Sequence, residues 1–315
     1  MQPVVGRLAP SPTGAQHLGN ARTYLIAWLS ARSQGGKVVL RIEDIDSPRV
    51  KAGAAEQAVD DLRWLGLDYD EGPIVQTERL ALYESALRRL QEREAVYPCT
   101  CSRADVERAA SAPHAEHEGP VYPGTCAGRR AADALDLQGI AHAWRYRIPA
   151  GPTEFADGFH GTVRIDLHQI GGDFVVWKSA GTPAYQLAVV VDDSALGVTE
   201  VIRGDDLLPS TPRQLLLYQA LGLSPPRFVH VPLVVGPDGR RLAKRHGDTR
   251  LSSLRAAGVR AETILGLFAW TCGWLSRVEP ITARDLIALY RLDTIHRQPF
   301  ILSPEQLRSI GYRTN

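Results

Sequence analysis

The chain has 315 residues, 44% of them hydrophobic and 23% charged, with 36 basic against 35 acidic side chains. That globular balance at about two domains' length excludes a disordered chain and any global field that would draw in nucleic acid or membrane. Four cysteines are too few for a secreted scaffold, the 12-residue apolar stretch at 264–275 falls short of a bilayer span, and prolines occupy the place of a signal peptide's apolar segment. A cytoplasmic protein with no membrane segment is expected, and any polyanion site must be a local patch.

Residues 4–8 are an apolar run predicted as a strand, 9–14 a Pro/Ser/Gly turn, and 20–32 a helix carrying Leu25, Trp28 and Leu29 at i, i+3, i+4 spacing. A second strand is predicted at 38–42, before the acidic turn Glu43-Asp44-Ile45-Asp46. Two amphipathic helices follow, one presenting Val59, Leu62 and Leu65, the other Leu80, Tyr83, Leu87 and Leu90. Strands alternating with helices predict a parallel α/β architecture. After Val96 the pattern changes to a cysteine segment, an Ala/Pro/Gly-rich loop and short β-like runs at 144–148, 163–167 and 174–178, which read as an inserted subdomain. The alternation resumes with Leu187-Ala188-Val189-Val190-Val191, predicted as a buried strand, then 199–202, a helix through 213–221 and the apolar run 228–235. Beyond about residue 251 the chain reads as helices at 252–256, 261–274 and 283–290. The expected organisation is a core half at 1–96, an insertion at 97–182, a second core half at 183–250 and a helical region at 251–315.

Three segments carry chemistry. Arg7 and the APSPTG turn lead to His17-Leu18-Gly19-Asn20 at a helix N-terminus, where free N–H groups and the dipole suit a phosphate. Gly19 leaves room for a flat purine, and His17 can donate to a phosphate oxygen. Arg41-Ile42-Glu43-Asp44-Ile45-Asp46 closes a predicted parallel strand, the edge at which open α/β sheets place ligands. Residues 236–250 hold Arg240, Arg241, Lys244, Arg245 and Arg250 against Asp238 and Asp248, a local +3 that can clamp a polyphosphate. Singly, these are a common helix cap, a solvated acidic turn and a solvated basic loop; the ordered set is not common.

In order and spacing the set resembles the class I aminoacyl-tRNA synthetases. His17-Leu18-Gly19-Asn20 is similar to their HIGH motif with Asn20 in place of the second histidine, and Leu242-Ala243-Lys244-Arg245 to their KMSKS loop, with Lys244 as its second lysine. APSPTG with Arg7, and Ile42-Glu43-Asp44, resemble the glutamyl branch, the resemblance running over about residues 3–250. It implies a Rossmann-type parallel-sheet catalytic domain with an inserted α+β zinc-bearing subdomain and a short helical C-terminal region. It further implies that ATP, with Mg²⁺, activates L-glutamate to glutamyl-adenylate before transfer to RNA. His17 and Lys244 would be catalytic, and would hold ATP with Gly19 and Asn20. Arg7, Ala9, Ser11, Glu43, Tyr185 and Arg203 would line the glutamate site. The chemistry agrees, since an amino acid with two carboxylates needs two cations and an acceptor, and Arg7, Arg203 and Glu43 supply them.

Cys99-Thr100-Cys101 and Cys126 offer three ligands of a tetrahedral zinc site. By spacing the fourth could be His114, His117 or Tyr122, histidine being the more usual ligand. Resemblance to glutamyl-branch enzymes with a C-x-C…Y-x3-C insertion favours Tyr122. Cys272, beside Trp270 and Trp274, reads as core, and His160, His168 and His230 form no constellation.

About 65 residues follow Arg250, too few for the helical module with which glutamyl-tRNA synthetases read the anticodon. The resemblance therefore points to the truncated branch that attaches glutamate to the queuosine base at the first anticodon position of tRNA(Asp), a base flipped into the pocket by a monomeric enzyme. The alternatives are a minimal synthetase charging tRNA(Glu) and a catalytically silent RNA-binding paralogue. Retention of His17, Gly19, Glu43, Arg203 and Lys244 argues against the silent form, and a small nucleotidyltransferase leaves Arg7, Tyr185 and Arg203 unexplained.

Overall fold

Val5–Leu8 (β1) and Lys37–Ile42 (β2) are apolar runs too short for a helix, and they pair in parallel with Val5 opposite Lys37 and Leu8 opposite Leu40. Their crossover is a helix, Leu18–Ser33 (α1), as parallel neighbours require. In the computed structural model, which describes residues 3–45, 49–109, 121–240, 242 and 248–312, the chain divides into two compact units. The first takes its described residues from Met1–Val75, Val198–Leu208 and Arg227–Asn315, the second from Gln76–Gly197 and Pro209–Pro226.

In the first unit, helix Ala54–Trp64 (α2) leads to a third parallel strand, Glu71–Val75 (β3), beside β2. No element is expected at 71–75 from the sequence. Gly72 makes the strand possible: it sits at φ 109°, and a Cβ there would overlap the Leu40 carbonyl. The register between β2 and β3 shifts at this point.

The second unit begins with the amphipathic helix Leu80–Glu92 (α3), which buries Tyr83, Leu87 and Leu90 as their spacing predicts but leaves Leu80, expected on the same face, exposed. Strand Val96–Cys99 (β4) and helix Arg103–Ala109 (α4) follow. Next come Ala143–Tyr146 (β5), the hairpin Thr153–Asp157 (β6) and Gly161–Ile165 (β7), and Phe174–Trp177 (β8). Strands β4, β5 and β8 form an antiparallel sheet in that order, the small antiparallel insertion. Helices Tyr185–Ala195 (α5) and Ser210–Leu221 (α6) complete the unit.

Helix α5 corrects the strand expected at 187–191. Leu187 through Val191 are buried, and so are Asp192 and Asp193. A helix enclosed on every side has no polar face, so its sequence shows neither a 3.6 nor a 2.0 period. The enclosed Asp192 is satisfied by Gln76 Nε2 at 2.8 Å, Arg79 Nε at 2.7 Å and the Tyr83 hydroxyl at 2.8 Å.

Back in the first unit, Glu200–Gly204 (β9) pairs in parallel with Arg227–Val231 (β10), and Val234–Val235 (β11) follows. The C-terminal region carries helices Leu251–Ala256 (α7), Ala261–Thr271 (α8), Ala283–Leu289 (α9) and Pro304–Ser309 (α10). It also holds a short strand absent from the sequence reading, Phe300–Ile301 (β12), which pairs with β11. The buried Arg22 of α1 ties this region down, donating to Thr271 Oγ1 at 2.8 Å and to the Pro232 carbonyl at 2.9 Å. Strand β9 runs beside β1 in the same direction. The Thr199 N–H bonds the Val5 carbonyl at 2.9 Å, and Arg7 Nη1 the Ile202 carbonyl at 3.0 Å. With β2 on one side of β1 and β9 on the other, the carboxyl ends of these strands form the switch point where open α/β sheets bind ligands. Among the described residues no helix is long and apolar enough to cross a membrane.

Candidate active site and cysteine cluster

Five of the residues expected around glutamate lie at that edge of the first unit. Arg7 is buried on β1, and Ala9 and Ser11 follow in the turn after it. Two backbone bonds hold this turn to the acidic segment after β2, from Glu43 N to the Pro10 carbonyl and from Lys51 N to the Pro12 carbonyl, each 3.0 Å. Glu43 is oriented from behind by Arg41, 0% exposed, whose Nη2 donates to Glu43 Oε1 at 2.8 Å. A carboxylate oriented through one oxygen in this way can present the other to a cationic donor. Arg203, on β9, is also buried. Its Nε donates to His230 Nε2 at 2.9 Å, and its guanidinium lies 5.2 Å from the centre of the Phe228 ring. His230 and Phe228 belong to β10, so the neighbouring strand holds the arginine. The sixth expected residue, Tyr185, opens α5 of the second unit and is half-buried.

His17 is the N-cap of α1, with extended backbone and no side-chain cap bond, so its ring is available for other work. Residues 16–18 and 249–251 are clasped together. The Leu18 N–H bonds the Thr249 carbonyl at 3.1 Å, the Leu251 N–H bonds the Gln16 carbonyl at 2.9 Å, and His17 and Arg250 form an antiparallel bridge. His17 Nδ1 lies 3.2 Å from Thr249 Oγ1. Burial lowers the His17 pKa below the ordinary histidine value, Asp248 opposing and Arg250 assisting, so the ring is held neutral. Asp248 and Arg250 pair with each other, and Arg250's bonds hold the Asp248 carboxyl well below the usual range. A Cβ on Gly19 would stand 3.6 Å from the Val234 carbonyl and 3.8 Å from Leu242 Cδ1, so a larger side chain would close the space between helix and loop. Asn20 donates to Gln16 Oε1 at 3.3 Å, and Tyr24, one turn on, does so at 3.2 Å. Lys244 lies outside the described residues, as do His114 and His117.

In the second unit the Sγ atoms of Cys99, Cys101 and Cys126 lie within 4.8 Å of one another, a cluster able to bind a metal ion such as zinc. Cys101 and Cys126 Sγ are 3.7 Å apart, and the Tyr122 hydroxyl is 3.5 Å from Cys99 Sγ. Two arginines donate to the sulfurs, Arg145 Nε to Cys99 at 3.3 Å and Arg129 Nη1 to Cys126 at 3.4 Å. The Arg145 guanidinium also covers the Tyr122 ring at 3.8 Å. Burial opposes ionisation of Cys126, but bonds from the Thr100 backbone and the neighbouring side chains outweigh it and bring this thiol to about 7, while burial pushes Cys101 up to about 11. Cys272 is buried on its own, as expected of a core residue.

Arg41, Tyr24, His230 and Thr249 support these side chains without a role expected of them from the sequence. Arg41 was within reach, two positions before Glu43 and so on the same side of the chain. Tyr24 was too, since His17, Asn20 and Tyr24 share one face of α1 at i, i+3, i+7; Glu43 and Arg7 both act electrostatically on its buried hydroxyl. His230, expected to join no constellation, instead accepts from Arg203; neither it nor Thr249 had a local signal, because their partners come from other parts of the chain.

Residues 3–289 match the family described as tRNA synthetases class I (E and Q), catalytic domain. The chain is 52% identical to a glutamyl-Q tRNA(Asp) synthetase of Rhodopirellula baltica, covering 96% of this chain and 97% of that one. It is 39% identical to glutamate–tRNA ligase 2 of Syntrophus aciditrophicus, covering 96% of this chain and 64% of the ligase. Among solved structures, a glutamate–tRNA synthetase from Elizabethkingia anophelis superposes with a TM-score of 0.84 at 26% identity, covering 98% of this chain and 70% of that one. Fold, strand-end arginines and relatives converge: the chain belongs to the class I tRNA synthetases of the E and Q branch, in its glutamyl-Q tRNA(Asp) group.

Proposed function

We propose that this chain activates L-glutamate with ATP to glutamyl-adenylate and transfers the glutamyl group to the queuosine base at the first anticodon position of tRNA(Asp). The observation that carries the reading is the 52% identity to a glutamyl-Q synthetase over almost the whole of both chains, against 39% to a glutamate–tRNA ligase. The site supports the first half-reaction. A carboxylate of glutamate is itself the nucleophile, attacking the α-phosphorus of ATP and expelling pyrophosphate, so the protein need only position the reactants and stabilise charge. Arg7 and Arg203 are the cations for glutamate carboxylates, and Glu43, oriented by Arg41, accepts from its ammonium group. His17 and the N-terminus of α1 face the phosphates, Gly19 and Asn20 border the nucleotide, and Lys244 neutralises the leaving pyrophosphate. Mg²⁺ enters with ATP as part of the substrate.

The cysteine cluster fits a structural zinc ion, with Tyr122 as fourth ligand. For tetrahedral zinc with Zn–S about 2.3 Å and Zn–O about 2.0 Å, S···S edges come to about 3.8 Å and S···O edges to about 3.5 Å. Cys101–Cys126 at 3.7 Å and Cys99–Tyr122 at 3.5 Å agree with these values. Arg129 and Arg145 would offset the charge of the thiolates. Bound there, zinc would tie β4 to the loop carrying Tyr122 and Cys126.

The test supplies full-length protein with ATP, Mg²⁺ and labelled glutamate, and offers three RNAs. Label should appear on queuosine-containing tRNA(Asp). Equal label on tRNA(Asp) lacking queuosine, or label on tRNA(Glu) instead, would overturn the reading.

A further inference from the structure

We propose that Thr249 is a positioning residue that sets the tautomer of His17, by donating its hydroxyl proton to Nδ1 so that Nε2 carries the N–H aimed at the phosphates. The proposal rests on the reading of His17 as a phosphate donor. A neutral imidazole has one N–H, on either nitrogen, and only the ring with its proton on the phosphate side can donate there. Something must therefore choose. Thr249 is 1% exposed, and its Oγ1 lies 3.2 Å from His17 Nδ1. A buried hydroxyl needs a partner, and a hydroxyl hydrogen can rotate toward an acceptor. A neutral ring has one nitrogen with a free lone pair, and a Thr249 hydroxyl that donates across this 3.2 Å contact keeps that lone pair at Nδ1.

The backbone clasp fixes the geometry. The Thr249 carbonyl takes the Leu18 N–H, and the Gln16 carbonyl takes the Leu251 N–H, on either side of the His17–Arg250 bridge. The Thr249 side chain is thus held beside the ring from 232 positions away. The charged groups acting on the ring, Asp248 and Arg250, are paired with each other, which leaves Thr249 as the neutral partner at Nδ1.

Two variants of the full chain test this, Thr249→Val, which keeps shape and loses the hydroxyl, and Thr249→Ser, which keeps the hydroxyl. Nitrogen-15 NMR of the His17 ring, assigned by loss of its signals in His17→Asn, should show the Nε2–H tautomer in the parent and in Thr249→Ser. In Thr249→Val it should show a mixture. In ATP–pyrophosphate exchange, Thr249→Val should lower kcat about 3- to 10-fold, the range expected for one hydrogen bond. The KM for glutamate and the Tm should not move, and Thr249→Ser should recover the rate. An unchanged tautomer in Thr249→Val, or a Thr249→Ser as impaired as Thr249→Val, overturns the proposal. Absence of exchange in the parent protein would instead overturn the synthetase reading, and the NMR tautomer would still decide the role of Thr249.

Discussion

His230 offers the sharpest check on how the glutamate site is built. It is 0% exposed, stands opposite Arg203 in the register of two parallel strands, and accepts the Arg203 Nε–H at 2.9 Å. Phe228, two residues earlier on the same strand, presents its ring to the same guanidinium at 5.2 Å. In His230→Phe the ring volume remains but the acceptor is lost. A hydrogen bond to a charged group contributes about 1.5–3 kcal/mol. Because 1.4 kcal/mol is a factor of ten in an equilibrium constant, glutamate affinity should fall by about 10- to 100-fold if most of that energy goes into placing Arg203. The assay is ATP–pyrophosphate exchange with glutamate and ATP varied separately. The KM for glutamate should rise, that for ATP should hold, and His230→Gln, whose amide oxygen can accept, should recover part of the loss. A folded His230→Phe protein with unaltered glutamate KM, or with both KM values raised alike, would refute the reasoning.

Two further outcomes follow from buried groups. Asp61 on α2 is fully buried, accepting from Gln57 at 2.9 Å through Oδ1, while Oδ2 finds no partner among the described residues. Burial raises its pKa above the ordinary 3.8, so ionisation is harder in the folded than in the unfolded chain and opposes folding at neutral pH. Asp61→Asn should therefore be more stable than the parent by about 1 kcal/mol at pH 7, with the gain disappearing as the pH falls toward 4; urea unfolding at both pH values measures this, and a pH-independent difference would refute it. For the cysteine cluster, elemental analysis should find about one zinc per chain, and Tyr122→Phe should weaken zinc at least about tenfold in chelator competition. Zinc-free native protein, or unchanged affinity in Tyr122→Phe, would remove the metal or its fourth ligand.

What the sequence determined by itself was local. His17 through Asn20 at a helix start, Glu43 at a strand end and the C-x-C pair with Tyr122 and Cys126 are short strings whose chemistry lies in residue type and spacing, and the structure brings Cys99, Cys101 and Cys126 together. Helices α2 and α3 were legible because each is half-buried, which leaves a period to read, and β1, β2 and α1 because turn residues bound them. Helix α5 had no such period, since it is apolar from Leu187 to Val191 and buried on every side. Strand β3 hid behind Gly72, whose value lies in a close approach to Leu40 that no neighbouring residue announces. Only the tertiary structure could decide the partners of the reacting groups. His230 meets Arg203 through the register of two strands, and Thr249 meets His17 through a clasp across 232 positions. Local propensity is set by neighbours within a few residues, whereas these pairs exist because strand order and helix packing close long loops, and a buried polar side chain acquires its role from whatever that closure places beside it.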